Sequence, residues 1–328
     1  MKKKLFAVLM AAAMVFGMTA CGSGESADTT AETTGDEAQL EDFSIVLDWY
    51  PNAVHAFLYD AIEKGYFAEE GLNLVIQFPA NTNDGISLPA AGKADAGVYY
   101  MQDAIMTSCE ENVPIVSIGA VTQKSMNVVI SLKDSGITEA KDLAGKKIGY
   151  AGTVLSEAQI QAMLQNAGLT ADDCECIDVG FDLMSALTTG QVDATIGNMV
   201  NHEVPQMEEQ GFEVNYFYPT DFGVPQGYEL VFLANKDAVA ENPEKYQGFL
   251  RACQKGFEDM KNNPDEVLQI LLDNQNEANF PLSENVERQI WKQNPRLSCI
   301  RKYPYGRKTL TGCMKLACSQ KKPMSADW

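Results

Sequence analysis

One segment of the chain reads as a strand, a polar loop, a helix and a second strand in close succession. Residues 43–47 alternate in hydrophobicity as a strand does, Pro51 breaks that pattern, and Asn52 is a residue type that caps helices. The predicted helix stops at Gly65, and residues 72–78 form the next strand. This order of elements constrains the chain to an α/β fold.

The loop of this unit is a candidate ligand-binding element. In open α/β sheets, ligands bind where loops leave the carboxyl ends of strands. We therefore expect Asp48, Trp49 and Asn52 to face a cleft. His55 and Tyr59 share one helical face with Asn52. The predicted buried stripe of the same helix consists of Phe57, Leu58, Ala61 and Ile62.

These residues carry a family resemblance. The order D-W-x-P-N, His55, Tyr59, A-x-E-K-G-Y-F and E-E-G-L resembles the NMT1/THI5-like family. That family comprises ABC-transporter solute-binding lipoproteins of the thiamine-precursor type, and it also includes yeast thiamine-pyrimidine synthases. The likeness runs from about Phe43 to Trp291 and is most specific at its start.

The resemblance implies a two-lobed periplasmic-binding-protein fold of type II, in which each lobe is a three-layer α/β sandwich and a hinge joins the lobes. It places lobe 1 at residues 43–131 plus 229–294 and lobe 2 at residues 132–228. The sequence contains an internal echo that fits two similar lobes. Residues 92–96 and 190–194 share the form G-x-x-D-A, and a strand follows each of them.

Polar side chains follow both echoed units, and they would face each other if both lobes point their strand ends inward. Tyr99 and Tyr100 are neighbours in a strand and point to opposite faces, so at most one of them enters the cleft. Further candidates come from the helix predicted after Thr153 and from the strand predicted at residues 228–234. The remaining candidate ligand-binding residues are Gln102, Glu157, Asn198, Asn201, His202, Glu203 and Tyr228.

The candidate set suits a small, flat heteroaromatic ligand. Trp49 and the tyrosines offer stacking faces, and the carboxylates of Asp48, Glu157 and Glu203 accept hydrogen bonds from exocyclic amines. A thiamine pyrimidine precursor is the ligand that the resemblance implies. Glu157 has a second interpretation, because an acid in the first helical turn also complements the helix dipole.

Two other ligand classes and one enzyme class remain as alternatives. The amides at Gly152 and Thr153 precede a helix and could bind a sulfonate or nitrate, and riboflavin is flat and neutral. The yeast relatives are synthases with a cysteine-rich C-C-C-F-C motif, and this chain lacks that run. It also lacks G-x-S-x-G, Walker A and H-E-x-x-H motifs, so we expect no enzyme activity and no cofactor.

The amino-terminal sequence predicts export. Lys2 to Lys4 precede an apolar run that is too short for a comfortable membrane span, and Met18-Thr-Ala-Cys21 resembles a lipobox. We expect residues 1–20 to be a signal peptide and Cys21 to carry a lipid that anchors the protein outside the cell membrane. An ordinary signal peptide is the alternative. Residues 21–42 are acidic, rich in small polar residues, and predicted to be a disordered tether.

The charge and cysteine content exclude some functions. The net charge of -20 argues against nucleic-acid binding. Cys174 and Cys176 lack nearby histidines, so no zinc site is expected. The family resemblance and the lipobox imply an aromatic small molecule, the ABC permease with its ATPase, and the membrane through Cys21 as the expected partners. The protein is expected to act as a monomer.

The end of the chain differs sharply from the rest. Residues 295–328 hold eight Lys or Arg and one acidic residue. A basic tail that contacts the membrane is one interpretation. The other is a frameshift near Asn294, because the segment can be recoded in another frame as an acidic amphipathic ending.

Overall fold

The computed structural model describes residues 39–275 and 281–293, and the predicted signal peptide, Cys21 and the basic tail lie outside them. The strands, in chain order, are β1 Glu41–Val46, β2 Leu72–Gln77, β3 Ala96–Tyr100, β4 Ile115–Ala120, β5 Asn127–Leu132, β6 Lys147–Tyr150, β7 Glu175–Asp178, β8 Ala194–Met199, β9 Val214–Phe217 and β10 Leu230–Asn235. The α-helices are α1 Ala56–Glu63, α2 Tyr66–Glu69, α3 Asp84–Ala90, α4 Met101–Glu110, α5 Val154–Asn166, α6 Leu183–Thr188, α7 Glu203–Glu209, α8 Lys236–Glu241, α9 Pro243–Asn262, α10 Pro264–Asp273 and α11 Glu284–Gln293. Short 3-10 helices lie at Ala53–His55, Lys133–Ser135, Ala140–Leu143, Ala171–Asp173 and Pro219–Phe222.

The strands form two sheets with the same topology. The order is β2-β1-β3-β10-β4 in the first sheet and β7-β6-β8-β5-β9 in the second. In each sheet one strand runs antiparallel to both neighbours, namely β10 in the first and β5 in the second. Each of these strands is the first that the chain forms after it crosses from the other sheet. The chain therefore crosses twice, as the family resemblance implies.

Two boundaries differ from the sequence-based expectation. Strand β5 was assigned to lobe 1 up to residue 131, but it pairs with β8 and β9 of the second sheet. The first crossing therefore lies between Ala120 and Asn127, and the second between Phe217 and Leu230. Strand β1 begins at Glu41, inside the predicted tether, because residues 41 and 42 pair in parallel with the start of β2.

Each sheet is covered by helices on both faces. In β10, Leu230 and Phe232 pack in the core cluster beneath α1, α9 and α10, whereas Val231 and Leu233 pack with Tyr99 on the opposite face. Strand β5 alternates in the same way between two clusters of the second sheet. This period-two alternation is what a sheet buried on both faces requires. The three-layer sandwich predicted for each lobe is confirmed.

Helix α1 positions the loop that precedes it. It ends at Glu63 with Lys64 as its C-cap, and Gly65 follows in the left-handed conformation with φ 73°, which glycine adopts without steric cost. Phe57 stacks on Phe257 of α9 with ring centroids 3.8 Å apart. Ile62 was expected in the buried stripe, but 42 % of its surface is exposed, because neighbouring helical positions are about 100° apart and Ala61 already faces the core.

Candidate functional site

A narrow cavity lies where the strand ends of the two lobes meet. Its first wall comes from the loop after β1 and the end of β3, and its second wall from the end of β8 and the start of α7. The lining residues are Asp48, Trp49, Asn52, Val54, His55, Tyr100, Gly197, Met199, His202, Glu203 and Leu230. The free space inside is about 10 Å³, which is room for about one water molecule. An aromatic ring can therefore enter only if the lobes move apart.

Hydrogen bonds within the first wall fix the loop after β1. The Asn52 side chain caps the 3-10 helix by accepting from the Val54 amide at 2.9 Å. The Asn52 amide donates to Nδ1 of His55 at 3.3 Å. Because that ring nitrogen accepts, Nε2 of His55 carries the proton and donates to Asp48 Oδ1 at 2.9 Å. Asp48 and His55 are buried, so the loop presents a preformed carboxylate to the cavity.

The second wall contains a charged pair. Nδ1 of His202 donates to Glu203 Oε1 at 2.7 Å, and the other oxygen of Glu203 accepts from the Met199 amide at 2.6 Å. Burial opposes the charge on His202, but the carboxylates of Glu203, Glu287 and Asp48 outweigh it and raise the pKa of His202 to about 9. The imidazole is thus protonated at neutral pH.

An aromatic contact joins the lobes beside the cavity. The Trp49 ring packs edge-on against Phe181 with centroids 4.7 Å apart, and Tyr50 contacts both rings. Phe181 lies in the loop after β7, in the second lobe. Phe181 was not among the predicted site residues, although it follows the carboxyl end of a parallel strand as Trp49 does.

The structure decides between the two neighbouring tyrosines. Tyr100 lines the cavity. Tyr99 points into the opposite face of the sheet, where its hydroxyl donates to the Thr82 carbonyl oxygen at 2.8 Å. Tyr99 was a candidate ligand-binding residue and is instead a core residue, because adjacent strand positions face opposite sides.

Several other predicted residues do not line the cavity. Tyr59 is buried in the core cluster of the first lobe, where burial raises its pKa to about 12. Glu157 is exposed, accepts a hydrogen bond from Tyr150 of β6 at 2.7 Å, and lies outside the cavity lining. Tyr228 packs against the small cluster that contains Tyr99.

Three predicted amide side chains lie near the strand ends but outside the lining. Asn198 is buried and donates to the Thr195 carbonyl and hydroxyl oxygens. Within the described residues, the side-chain amide of Asn201 and the Oε1 atom of Gln102 are buried and make no hydrogen bond. The predicted residues that the structure does bring together are Asp48, Trp49, Asn52, His55, Tyr100, His202 and Glu203.

Two buried carboxylates near the cavity were not predicted. Glu229, at the second crossing, accepts from the Met126 amide at 3.1 Å, and burial raises its pKa. Glu287, on α11, accepts from the Ala53 amide at 2.7 Å. Neither stands out in the sequence, because a glutamate in an amphipathic helix or before a strand is ordinarily exposed.

A further carboxylate connects the lobes away from the cavity. Asp103 of α4 accepts from the Leu155 amide in the first turn of α5 at 2.9 Å. Its other oxygen is buried and makes no hydrogen bond among the described residues. Burial raises the pKa of Asp103 to about 7, with the Leu155 amide acting in the opposite direction. The start of α5 is therefore occupied by a side chain of the protein itself.

Within residues 39–275 and 281–293, no group of three or more His, Cys, Asp or Glu side chains is placed to hold a metal ion. Cys174 and Cys176 bring their sulfur atoms within 4.0 Å of each other. No helix in this part of the chain combines the length and apolar character needed to cross a membrane.

Comparison with known proteins identifies relatives along most of the chain. The family described as NMT1/THI5 like matches residues 52–267. A formylaminopyrimidine-binding protein of Halalkalibacterium halodurans is 41% identical over 263 residues, which cover 80% of this chain and 79% of that protein. A 4-amino-5-hydroxymethyl-2-methylpyrimidine phosphate synthase of Aspergillus parasiticus is 32% identical over 65% of this chain and 64% of the synthase.

Solved structures share the fold. The periplasmic aliphatic sulphonate binding protein of Escherichia coli superposes with a TM-score of 0.64 over 85% of this chain and 91% of that protein, at 15% sequence identity. At that identity the likeness establishes the fold alone. The two-lobed binding-protein fold expected from the sequence is thereby confirmed.

Proposed function

This chain belongs to the NMT1/THI5-like family, and from that premise we propose that it is the solute-binding component of an ABC importer for a thiamine pyrimidine precursor. The ligand would be a hydroxymethyl- or formylaminomethyl-pyrimidine. The family also contains binding proteins and synthases, as the named relatives illustrate. The choice of role and ligand therefore depends on the chemistry of the cavity.

The composition of the cavity is the observation that carries the proposal. Two carboxylates, Asp48 and Glu203, line it together with the rings of Trp49, Tyr100 and His202. An aminopyrimidine offers exocyclic N–H donors to carboxylates and a flat ring to aromatic faces. Among the described lining residues there is no lysine or arginine, and the one cationic group, His202, is already paired with Glu203.

The same geometry disfavours an anionic ligand. An anion binds best where amides at a helix start are free. Here the Ala53 amide is taken by Glu287 and the Leu155 amide by Asp103. A sulfonate or nitrate would have to displace carboxylates of the protein, so these ligands are weaker candidates than a neutral or cationic heterocycle.

The proposed mechanism is capture by hinge closure. The two crossings are hydrogen-bonded to each other, since the Leu230 amide donates to the Thr122 hydroxyl at 2.9 Å and the Glu229 amide to the Thr122 carbonyl at 3.1 Å. A hinge of this kind lets the lobes separate while their sheets stay intact. The ligand would enter the open form, contact both walls and stabilise the closed form.

A thermal-shift panel tests the ligand class. The full chain would be heated with formylaminomethyl- and hydroxymethyl-pyrimidines, thiamine, riboflavin, taurine and nitrate, and the hits measured by calorimetry. We expect stabilisation by the aminopyrimidines. Stabilisation by taurine or nitrate alone would refute the proposal, and riboflavin alone would indicate the flavin alternative.

A pair of matched variants tests the site. Glu203→Gln should weaken aminopyrimidine binding at least tenfold, because it removes a carboxylate that lines the cavity. Glu208→Gln makes the same change on the same helix at an exposed position outside the cavity, and should leave affinity unchanged. Equal affinities for the two variants would remove Glu203 from the site.

We further propose that the protein binds its ligand without turnover. The C-C-C-F-C run of the yeast synthases is missing from the sequence. Chromatography of the ligand after prolonged incubation with the protein should return it unchanged. Conversion to another pyrimidine would support the synthase alternative instead.

The proposed location is the outer face of the cell membrane, with a lipid on Cys21 as the anchor and the ABC permease as the partner. This rests on the amino-terminal sequence, where a short apolar run precedes Met18-Thr-Ala-Cys21. Cys21→Ala should move the protein from the membrane fraction to the soluble fraction. Retention of the variant in the membrane fraction would contradict lipid anchoring.

A further inference from the structure

Helix α11 contacts both lobes at once. It packs against α10 and the 3-10 helix Ala53–His55 of the first lobe, and against α7 of the second. Ser283, at its start, donates to Glu209 of α7 at 2.7 Å. Arg288, farther along, pairs with Asp265 of α10. The helix therefore bridges the two lobes on the side of the cavity formed by α7.

Glu287 is the buried contact of this bridge. Its side chain is 1% exposed. One carboxylate oxygen accepts from the Ala53 amide at 2.7 Å, which fixes the loop that carries Asp48 and Trp49. The other oxygen lies 3.7 Å from Nε2 of His202 in the second lobe. Neither oxygen contributes to the cavity lining. Glu287 therefore affects the cavity only by holding its two walls in position.

This contact depends on the charges that face each other when the lobes are together. Burial raises the pKa of Glu287, and the nearby His202 acts in the opposite direction by favouring the carboxylate. His202 is faced by Glu203 on its own helix, by Glu287 on α11 and by Asp48 on the loop after β1, and His55 and Tyr100 line the same cavity. Separation of the lobes would leave His202 with Glu203 alone. It would also leave Glu287 without its cationic neighbour.

We propose that α11 is a clasp for lobe closure, in which Glu287 is a positioning residue that ties the first-lobe loop at Ala53 to His202 of the second lobe. The clasp stabilises the closed arrangement of the lobes, and this role is the same for any ligand that the cavity binds. It predicts that the closed form depends on a residue that is distant along the chain from the residues lining the cavity and is not one of them.

The test uses the ligand-free full chain, so that its outcome is independent of the proposed ligand. The chain contains two histidines and three tryptophans, so carbon-13 labelled histidine and 5-fluorotryptophan give few signals. His202→Asn and Trp49→Phe assign them. The Trp49 signal reports closure because Trp49 packs on Phe181 of the other lobe, and its solvent isotope shift measures its exposure.

Glu287→Gln should lower the pKa of His202 by about one pH unit and at least double the solvent isotope shift of Trp49. Glu284→Gln is the matched control, because Glu284 lies on the same helix and pairs with Arg288 within it; both signals should stay as in the wild type. An unchanged Trp49 signal in Glu287→Gln would overturn the clasp, even if the His202 pKa falls.

A second measurement needs no variant of Glu287 and covers the case in which that variant does not fold. In the wild type, the exposure of Trp49 should rise as the pH is raised through the His202 pKa of about 9, because the neutral imidazole no longer attracts Glu287. A Trp49 signal that stays constant from pH 7 to pH 10 would refute the proposal.

Discussion

The substitution Asp103→Asn should destabilise the protein at acidic pH and stabilise it at basic pH. Asp103 is 4% exposed. It accepts from the Leu155 amide through one oxygen, whereas its other oxygen is buried without a hydrogen bond among the described residues. Burial raises its pKa from 3.8 to about 7. The folded protein therefore resists ionisation of a side chain that ionises readily in the unfolded chain.

The difference between the pKa values of Asp103 in the folded and unfolded protein sets the sign and the size of the change in stability. A carboxyl group with a raised pKa contributes stability that is fully present below its unfolded pKa and is lost as the pH rises through its folded pKa. The contribution of Asp103 to stability is therefore lost between about pH 4 and pH 7. A shift of about 3 pH units at 1.36 kcal/mol each gives an upper limit of about 4 kcal/mol.

Asparagine removes that loss, but its amide has two N–H groups where the neutral acid has one O–H, so the substitution adds one buried donor without a partner. An unsatisfied buried group costs about 1–3 kcal/mol. Asp103→Asn should therefore be about 1–2 kcal/mol more stable than the wild type at pH 8. At pH 4, where Asp103 is neutral, the variant should be less stable by about 1–3 kcal/mol.

Urea unfolding of the full chain at pH 4 and pH 8 measures both differences. Asp142→Asn is the control of opposite sign, because backbone amides and the Thr138 hydroxyl lower the pKa of Asp142, and its loss should destabilise the protein at pH 8. A change in stability between the two pH values that is the same for Asp103→Asn and the wild type would refute the reasoning.

Three further predictions concern single side chains. Trp49→Ala should weaken aminopyrimidine binding at least tenfold, measured by calorimetry, and should leave the protein folded by circular dichroism, because the ring lines the cavity. Tyr100→Phe should lower affinity, whereas Tyr99→Phe should instead cost about 1 kcal/mol of stability, since only Tyr99 donates to the Thr82 carbonyl; a loss of affinity in Tyr99→Phe would contradict this placement. Asp60→Asn should stabilise the protein at pH 8 by about 1–2 kcal/mol. Asp60 is fully buried, makes no hydrogen bond to the residues that the structure describes, and has its pKa raised by burial to about 6; a lower urea midpoint at pH 8 would count against this prediction.

Local elements were predictable where neighbouring residues decide the structure. Asn52 caps the 3-10 helix Ala53–His55, and Gly65 follows the end of α1 in the left-handed conformation, as their residue types indicate. The strand predicted at residues 43–47 is present as β1. The error at Ile62 came from extending an apolar stripe by one position too many, which a helical period of 3.6 residues does not allow.

The lobe boundary was harder to predict. Strand β5 is as apolar as its neighbours along the chain, and nothing in its own sequence states which sheet it joins. It belongs to the second sheet because it pairs with β8 on one side and with β9 on the other. Pairing between strands is a property of two segments, so the crossing near residue 121 could be read only from the assembled sheets.

The amino-acid sequence was enough to identify the α/β class, the family and the loop that carries Asp48, Trp49 and Asn52. These follow from patterns within a few dozen residues, which local geometry fixes. Three contacts became visible only in the folded protein: Tyr100 rather than Tyr99 faces the cavity, Phe181 meets Trp49, and Glu287 reaches Ala53 across 234 residues of chain. Contacts between such distant residues depend on how the two lobes pack together, and no local pattern encodes that arrangement.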